Sequence, residues 1–226
     1  EERGQITLGV IPNGVLNDFA HFWGFDESCL DRTIRWLMQK RVRKIDVGCI
    51  RYQNRKNEHC RRYFLNCVNF GFVATIMSLR RRTRHLFVSR RLSFILSTFL
   101  LLFQRTDFLM HLHVNTETVN KRLMTVCIGN ASGYGQTPNA VPYNGLLDVS
   151  VVSQPKTMQI IEGLYLLLRG KILNHRSVHP YRTAELTLQA ESHTPVSVDG
   201  RLLNGTPVGT CKVSVEKEVI NFLIPD

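Results

Sequence analysis

Three carboxylates in this 226-residue chain stand close to glycines at points where an apolar run gives way to a turn. In Gly14-Val15-Leu16-Asn17-Asp18 the glycine follows the run Ile6 to Ile11 and the acid sits four residues on. A glycine at a strand end lets a phosphate approach the backbone, and a carboxylate beside it can hold Mg²⁺ against that phosphate. Asp46, read as the end of a later strand next to Gly48, adds a second carboxylate to such a network. Asp199 closes Val196-Ser197-Val198 and precedes Gly200. Facing a cleft, it would accept the proton of an attacking hydroxyl, the part a carboxylate plays in phosphoryl transfer. Each also has a plainer reading: Asn17-Asp18 as a turn and helix cap, and Asp-Gly as a hairpin turn. Gly129 to Gly135 is a glycine-rich loop after an apolar strand, weak by itself, and His111 and His113 share a strand face but lack a third metal ligand in the sequence.

The elements that must position these groups follow from periodicity. Ile6 to Ile11 reads as a buried strand that Pro12-Asn13-Gly14 breaks. A helix follows, with Ser28 as N-cap, Leu30, Ile34 and Leu37 on one face, and Lys40 and Arg41 at its C-terminal end. Beyond Val42 the texture changes to short strands: Lys44 to Ile50, Arg62 to Val68, Met110 to Val114, Arg122 to Ile128 and Gly145 to Val152. Ala184, Leu186, Leu188 and Ala190 alternate with polar residues, as do Cys211, Val213 and Val215. Helices are expected around Ser89 to Phe103 and at Met158 to Leu168. The fold class is therefore α+β: the tail of an α/β unit, then a mainly antiparallel β-sandwich with a few helices.

Composition removes several classes of function. Hydrophobic residues make up 43% and charged residues 21%, so the chain is neither disordered nor fibrous. Its most apolar run, Leu92 to Phe103, is 12 residues long, short of the ~20 that cross a bilayer. Cysteines 29, 49, 60, 67, 127 and 211 form no C-x-x-C pair and read as free thiols, which with the lack of a signal peptide points to the cytoplasm. The net charge of +11 is concentrated: Lys40 to Arg91 holds fifteen Lys or Arg against Asp46 and Glu58. Such a stretch is either a solvated face or a docking surface for an anionic partner. The compact strand at the very start, with no methionine ahead of it, makes the chain look like the later part of something longer.

Taken in order, these segments resemble one family. Leu8-Gly9-Val10-Ile11-Pro12-x-Gly14-x-x-Asn17-Asp18-Phe19-Ala20, then Lys44-Ile45-Asp46-Val47-Gly48, Phe64-Leu65-Asn66, Gly71-Phe72-Val73-Ala74, Gly129-Asn130, Pro138-Asn139-Ala140, Asn144-Gly145-Leu146-Leu147-Asp148-Val149 and Val198-Asp199-Gly200 are similar to the diacylglycerol kinase and sphingosine kinase superfamily, bacterial lipid kinases in particular. The likeness runs from Leu8 to Pro225. It implies ATP bound between an α/β domain, of which residues 1–43 would be the C-terminal remainder, and a β-sandwich domain at 44–226 whose last strand returns to the first domain. It also implies Gly14 and Asn17 near the nucleotide, Asp18 and Asp46 in an Mg²⁺ network, and Asp199 as general base. Asn144 stands where the family has a metal-binding aspartate, with the Leu146 carbonyl as a further donor.

Three departures bear on activity. Val15 replaces the family's threonine, Arg201 stands where a second carboxylate is expected, and the phosphate-binding Gly-Gly-Asp-Gly-Thr motif has no counterpart in the chain. The function implied is the C-terminal part of a lipid kinase that moves the γ-phosphoryl of ATP to a lipid hydroxyl, diacylglycerol-like or sphingoid, working at the membrane periphery. Arg80, Arg81, Arg82 and Arg84 would dock it on an anionic bilayer. The alternative is a catalytically inactive lipid- or membrane-binding module of the same fold. Nucleic acid is disfavoured because no recognition motif accompanies the arginines, and pairing of two copies through strand edges stays open.

Overall fold

The computed structural model describes residues 7–13, 17–25, 28–83, 107–132, 135–204 and 207–225. The expected helix at Ser89 to Phe103, together with Gly14, Val15 and Arg84, lies outside the described residues. The elements run β1 (Thr7–Leu8), α1 (Asp18–Phe22), α2 (Leu30–Met38), β2 (Val42–Gln53), β3 (His59–Phe64), β4 (Cys67–Gly71), α3 (Phe72–Thr83), β5 (Phe108–Val114), β6 (Glu117–Gly129), β7 (Leu147–Ser153), α4 (Thr157–Leu168), a 3₁₀ turn (Ile172–Asn174), β8 (Val178–Thr183), β9 (Glu185–Ala190), β10 (Val196–Val198), β11 (Arg201–Leu202) and β12 (Val208–Leu223).

The strands form one curled sheet in the order β11-β10-β4-β6-β5-β9-β12-β2-β3, with β7 and β8 branching from β6, and β1 attached to β12. Every pairing is antiparallel except β1 with β12. The curl follows from where the apolar residues fall. Alternating positions of nearly every strand, from Val196 and Val198 at one end of the order to Ile50 and Phe64 at the other, pack into a single buried cluster with Phe70, Met110, Leu112, Ile128 and Leu188. The sheet must close on itself for its two ends to share that interior.

Two long strands make the closure possible by changing partners midway. The first half of β6 pairs with β5, while its second half lies between β4 and β7, the switch marked by a register shift between Leu123 and Thr125. In β12 a second shift separates Glu216 from Ile220 opposite Val47 and Ile45, leaving Lys217 to Val219 as a bulge facing Asp46. Past that bulge the strand end joins a smaller core of Ala20, Phe25, Ile45 and Phe222, onto which α1, α2 and β1 pack. The 12-residue α3 leaves β4 directly and lays Phe72, Val73, Ile76 and Met77 against Met124 and Leu202.

Several expectations need correction. The run Arg62 to Val68 is not one strand: pairing stops at Phe64 and restarts at Cys67, because the amides between them are drawn to a carboxylate from β10. Asp46 lies inside β2 rather than at its end, opposite the β12 bulge that accommodates it. In α2 the N-cap is Cys29 rather than Ser28, and the inward face is Thr33, Trp36 and Leu37, leaving Leu30 and Ile34 exposed. The edge strand β8 contains Pro180, which is tolerated because its missing N–H is needed by no second neighbour. All six cysteines are free.

Candidate functional site

Asp199 and Gly200 are the two loop residues of the β10–β11 hairpin, with φ of 45° and 75°, as a tight turn that pairs Val198 with Arg201 requires. The turn aims the Asp199 carboxylate at the break between β3 and β4. There Oδ2 accepts from the Leu65 amide at 2.8 Å, and Oδ1 accepts from Asn66 and Cys67 at 2.9 and 3.0 Å. The turn and the carboxylate's role are thus one device, since the positive φ is what points the side chain back along the neighbouring strand. Loss of water around the carboxyl raises its pKa above the ordinary value, with the three amide donors and the Arg201 charge opposing the rise.

The loop that Asp199 holds is tied in turn to the other acid. The Asn66 carbonyl accepts from the Asn130 and Ala131 amides at 2.8 and 3.1 Å. The fully buried Asn130 sends its Nδ2 to the carbonyls of Leu65 at 2.9 Å and Asp46 at 3.0 Å. Asp46, only 1% exposed, accepts from the Gly145 amide at 2.6 Å through Oδ2 and from the Glu218 amide at 2.9 Å through Oδ1. Its own amide donates to the Pro142 carbonyl at 2.8 Å. One polar network therefore runs from the β10 turn through the β3–β4 break and the loop after β6 to the β2 interior and the β12 bulge.

Of the remaining predicted positions, Asn144, Asn17 and Asp18 lie beside the loops of this network. Asn144 is exposed and its Oδ1 accepts from the Leu146 amide at 2.9 Å, closing a turn around Gly145, whose φ of 72° suits glycine. Phe22 and Trp23, following Asp18, stack on Tyr143 with centroids 6.2 and 5.8 Å apart, so α1 lies beside the loop that Asp46 anchors. Asn17 adopts the left-handed φ of 51° at the start of α1, and Asp18 is half-buried as its first residue. The backbone of Arg80, Arg81 and Arg82 forms the C-terminal end of α3.

Asn66 and Asn130, which in the sequence stand inside longer motifs, are the joints of the network. Each keeps a buried side-chain oxygen with no protein partner, as do Asn69 Oδ1 and Ser197 Oγ, cross-strand neighbours on β4 and β10. A sequence signal existed: three asparagines at 66, 69 and 130 within runs that are otherwise apolar.

The same geometry tests the expected metal. Both Asp46 oxygens are engaged by backbone amides and the side chain is buried, and the Asn144 oxygen closes its own turn. Among the described residues no three His, Cys, Asp or Glu side chains come together as a metal cage. Mg²⁺, which requires an octahedral oxygen set, is not fitted by Asp46 and Asn144 as they stand here.

A curled, mainly antiparallel sheet of this kind is a β-sandwich-like fold. The sequence profile described as "YegS C-terminal NAD kinase beta sandwich-like domain" matches residues 66–223, and the chain belongs to that family. Its fold is similar to a proposed diacylglycerol kinase of Bacillus anthracis strain Sterne, with TM-score 0.68, 17% identity, 96% of this chain covered and 69% of that one. A structure described as a diacylglycerol kinase from the same organism gives TM-score 0.59 at 15% identity, covering 96% of this chain and 66% of that one. Yeast NADH kinase, solved with NADH, gives 0.51 at 11% identity over 89% of this chain and 50% of that one. The chain thus spans about two thirds of the Bacillus proteins it resembles. Among curated proteins no sequence matches. At the family level this is the β-sandwich-like domain of a kinase-type fold.

Proposed function

We propose that the chain is the acceptor-side part of an ATP-dependent lipid kinase, in which Asp199 takes the proton of a lipid hydroxyl as that oxygen attacks the γ-phosphorus. The observation that carries this reading is the network joining Asp199 to Asp46 through Asn66 and Asn130. It holds a carboxylate in one orientation at a strand end. Orientation of this kind is most of what a phosphoryl transferase contributes, there being little covalent chemistry for the protein to perform. Loss of water around the carboxyl raises its pKa, the direction that makes it a better proton acceptor than an ordinary carboxylate. As the oxygen–phosphorus bond forms, the bond to the leaving ADP oxygen breaks and the hydroxyl proton passes to an Asp199 oxygen. Transfer of this class needs a divalent ion to neutralise the phosphates. Asp46 serves this reading as an anchor of the loops, and residues 1–43 as the remainder of a nucleotide-binding domain.

The peripheral site of action belongs to the same proposal. The acceptor resides in a bilayer, and the excess of cations between Lys40 and Arg91 suits an anionic surface. The alternative of a binding module without transfer is favoured by Arg201, which places a cation beside the supposed base.

The deciding experiment is phosphate transfer from labelled ATP to a panel of lipid alcohols, with and without Mg²⁺. It uses the longest reading frame that contains this chain, beside Asp199→Asn. We expect transfer that falls by at least a hundredfold in the variant. Transfer that persists in Asp199→Asn makes Asp199 a turn residue only, and the absence of transfer to any lipid favours the binding module.

A further inference from the structure

The sequence of α4, Thr-Met-Gln-Ile-Ile-Glu-Gly-Leu-Tyr-Leu-Leu-Leu, is more apolar than a helix with a solvent-facing side needs to be, and Glu162 is its one charged residue. Its inner side is accounted for. Ile160 is buried, the His175 ring sits where a Cβ on Gly163 would be 3.6 Å away, and His175 Nε2 lies 3.0 Å from the Gln159 carbonyl. Because His175 Nδ1 accepts from the Ser177 amide at 3.2 Å, the proton is on Nε2 and donates to that carbonyl, which fastens the helix from within.

The outer side is not accounted for by the fold. Ile161 and Tyr165, one turn apart, are 65% and 53% exposed. The Arg169 guanidinium lies 4.7 Å from the Tyr165 ring centre, extending the stripe by one more turn with a cation. Lys156 precedes the helix, and Lys171 and Arg176 follow it, all exposed. From residue 156 to 176 four cations thus flank the helix in sequence, with Glu162 alone as an anion. Apolar and aromatic groups at the level of the lipid headgroups, with arginine and lysine reaching phosphates around them, are how an interfacial helix binds an anionic bilayer. A protein partner covering the same stripe would have to neutralise these cations as well.

We propose that α4 is the element through which the chain contacts an anionic membrane, with Ile161 and Tyr165 entering the interface and Arg169 and Lys171 engaging lipid phosphates. This rests on the reading of the protein as one that acts on lipids, and it assigns the docking to a surface separate from the arginines of α3. Among the described residues a second exposed apolar stripe, Leu30, Ile34 and Met38 on α2, also has cations beside it, Arg32, Arg35 and Lys40, but its aromatic, Trp36, packs inward on Phe25 and Asp31 stands in its first turn, so it serves as the comparison surface.

The test is co-sedimentation of the chain with vesicles of phosphatidylcholine alone or mixed with phosphatidylglycerol. We expect binding to the mixed vesicles that drops about tenfold or more in Ile161→Ser/Tyr165→Ser. Arg169→Gln/Lys171→Gln should lose the preference for phosphatidylglycerol, and Leu30→Ser/Ile34→Ser should bind as the parent does. Thermal unfolding of each variant checks that it folds. As an independent readout, the Trp fluorescence added by Ile161→Trp should be quenched by brominated lipid in mixed vesicles and not in phosphatidylcholine. Parent-like binding of Ile161→Ser/Tyr165→Ser, an unquenched Trp at 161, or no vesicle binding by the parent chain each overturns the assignment. Transfer to an acceptor in detergent micelles, which needs no bilayer, reports separately on the lipid-kinase reading, and it should survive Ile161→Ser/Tyr165→Ser.

Discussion

Asp199 holds the β3–β4 break and, in the proposed reaction, would serve as base, and these two parts have pH dependences that run in opposite directions. Its pKa in the folded chain is raised, chiefly by loss of water, so the ionised form is the one the fold disfavours. The resulting contribution to stability is fully present below the ordinary carboxylate range near 4 and is lost as pH rises through the raised value. Catalysis requires the opposite state: a base must be ionised, so transfer should be absent at low pH and appear as pH passes through that same raised pKa. A pH profile of transfer at saturating ATP checks this, the expected result being an acidic limb displaced upward from pH 4. Asp46 makes a different prediction. Replacing it with alanine strands the buried Gly145 amide and the Glu218 amide at once, and urea unfolding should show a loss of about 2 to 4 kcal/mol. Asp46→Asn, which keeps one acceptor, should lose less. A larger effect of Asp46→Ala on transfer than on stability would argue for a role beyond anchoring.

Among the elements, the junction of β4 and α3 is the least forgiving. Gly71 has φ of 88°, its amide donates to the Pro195 carbonyl at 2.9 Å, and a Cβ placed on it would lie 2.7 Å from the Met124 carbonyl oxygen. Gly71→Ala combines a strained backbone with a clash against backbone, and should cost at least about 1 to 3 kcal/mol in a urea titration. If the variant matches the parent, the abrupt strand-to-helix turn is not what glycine is there for. The glycines at 48 and 71 and the Asp-Gly at 199 were visible as residues in the sequence. Their partners were not, because the Phe64 ring that packs over Gly48 and the carbonyl that crowds Gly71 belong to neighbouring strands. The same distance explains the misread run Arg62 to Val68. Its alternation looks continuous, and only a carboxylate arriving from residue 199 reveals why pairing stops at Leu65 and Asn66. The inward face of α2 was misassigned for a related reason: both Leu30-Ile34-Leu37 and Thr33-Trp36-Leu37 satisfy helical spacing, and the packing of Trp36 against Phe25 chooses between them.

For the molecule as a whole, charge is the property that makes the broadest prediction. With +11 overall, binding of the chain to phosphatidylglycerol-containing vesicles should weaken steeply with added salt. Because docking is assigned to α4, replacing Arg80, Arg81 and Arg82 with glutamine should weaken it less than Arg169→Gln/Lys171→Gln does. Salt-insensitive binding in a sedimentation series would mean that apolar contact alone carries the association. What the sequence by itself determined is the class of structure and the order of its glycine–acid turns. Alternation of period two, turn residues between short runs and the order of the glycine–acid motifs are local properties, readable without knowing what lies across the sheet. Only the tertiary structure decided how those positions act together. The curl that joins both ends of the sheet around one core and the partner switches in β6 and β12 depend on contacts between distant residues. So does the chain of hydrogen bonds from Asp199 through Asn66 and Asn130 to Asp46, because a buried amide or carboxylate takes whichever partner the fold brings within 3 Å.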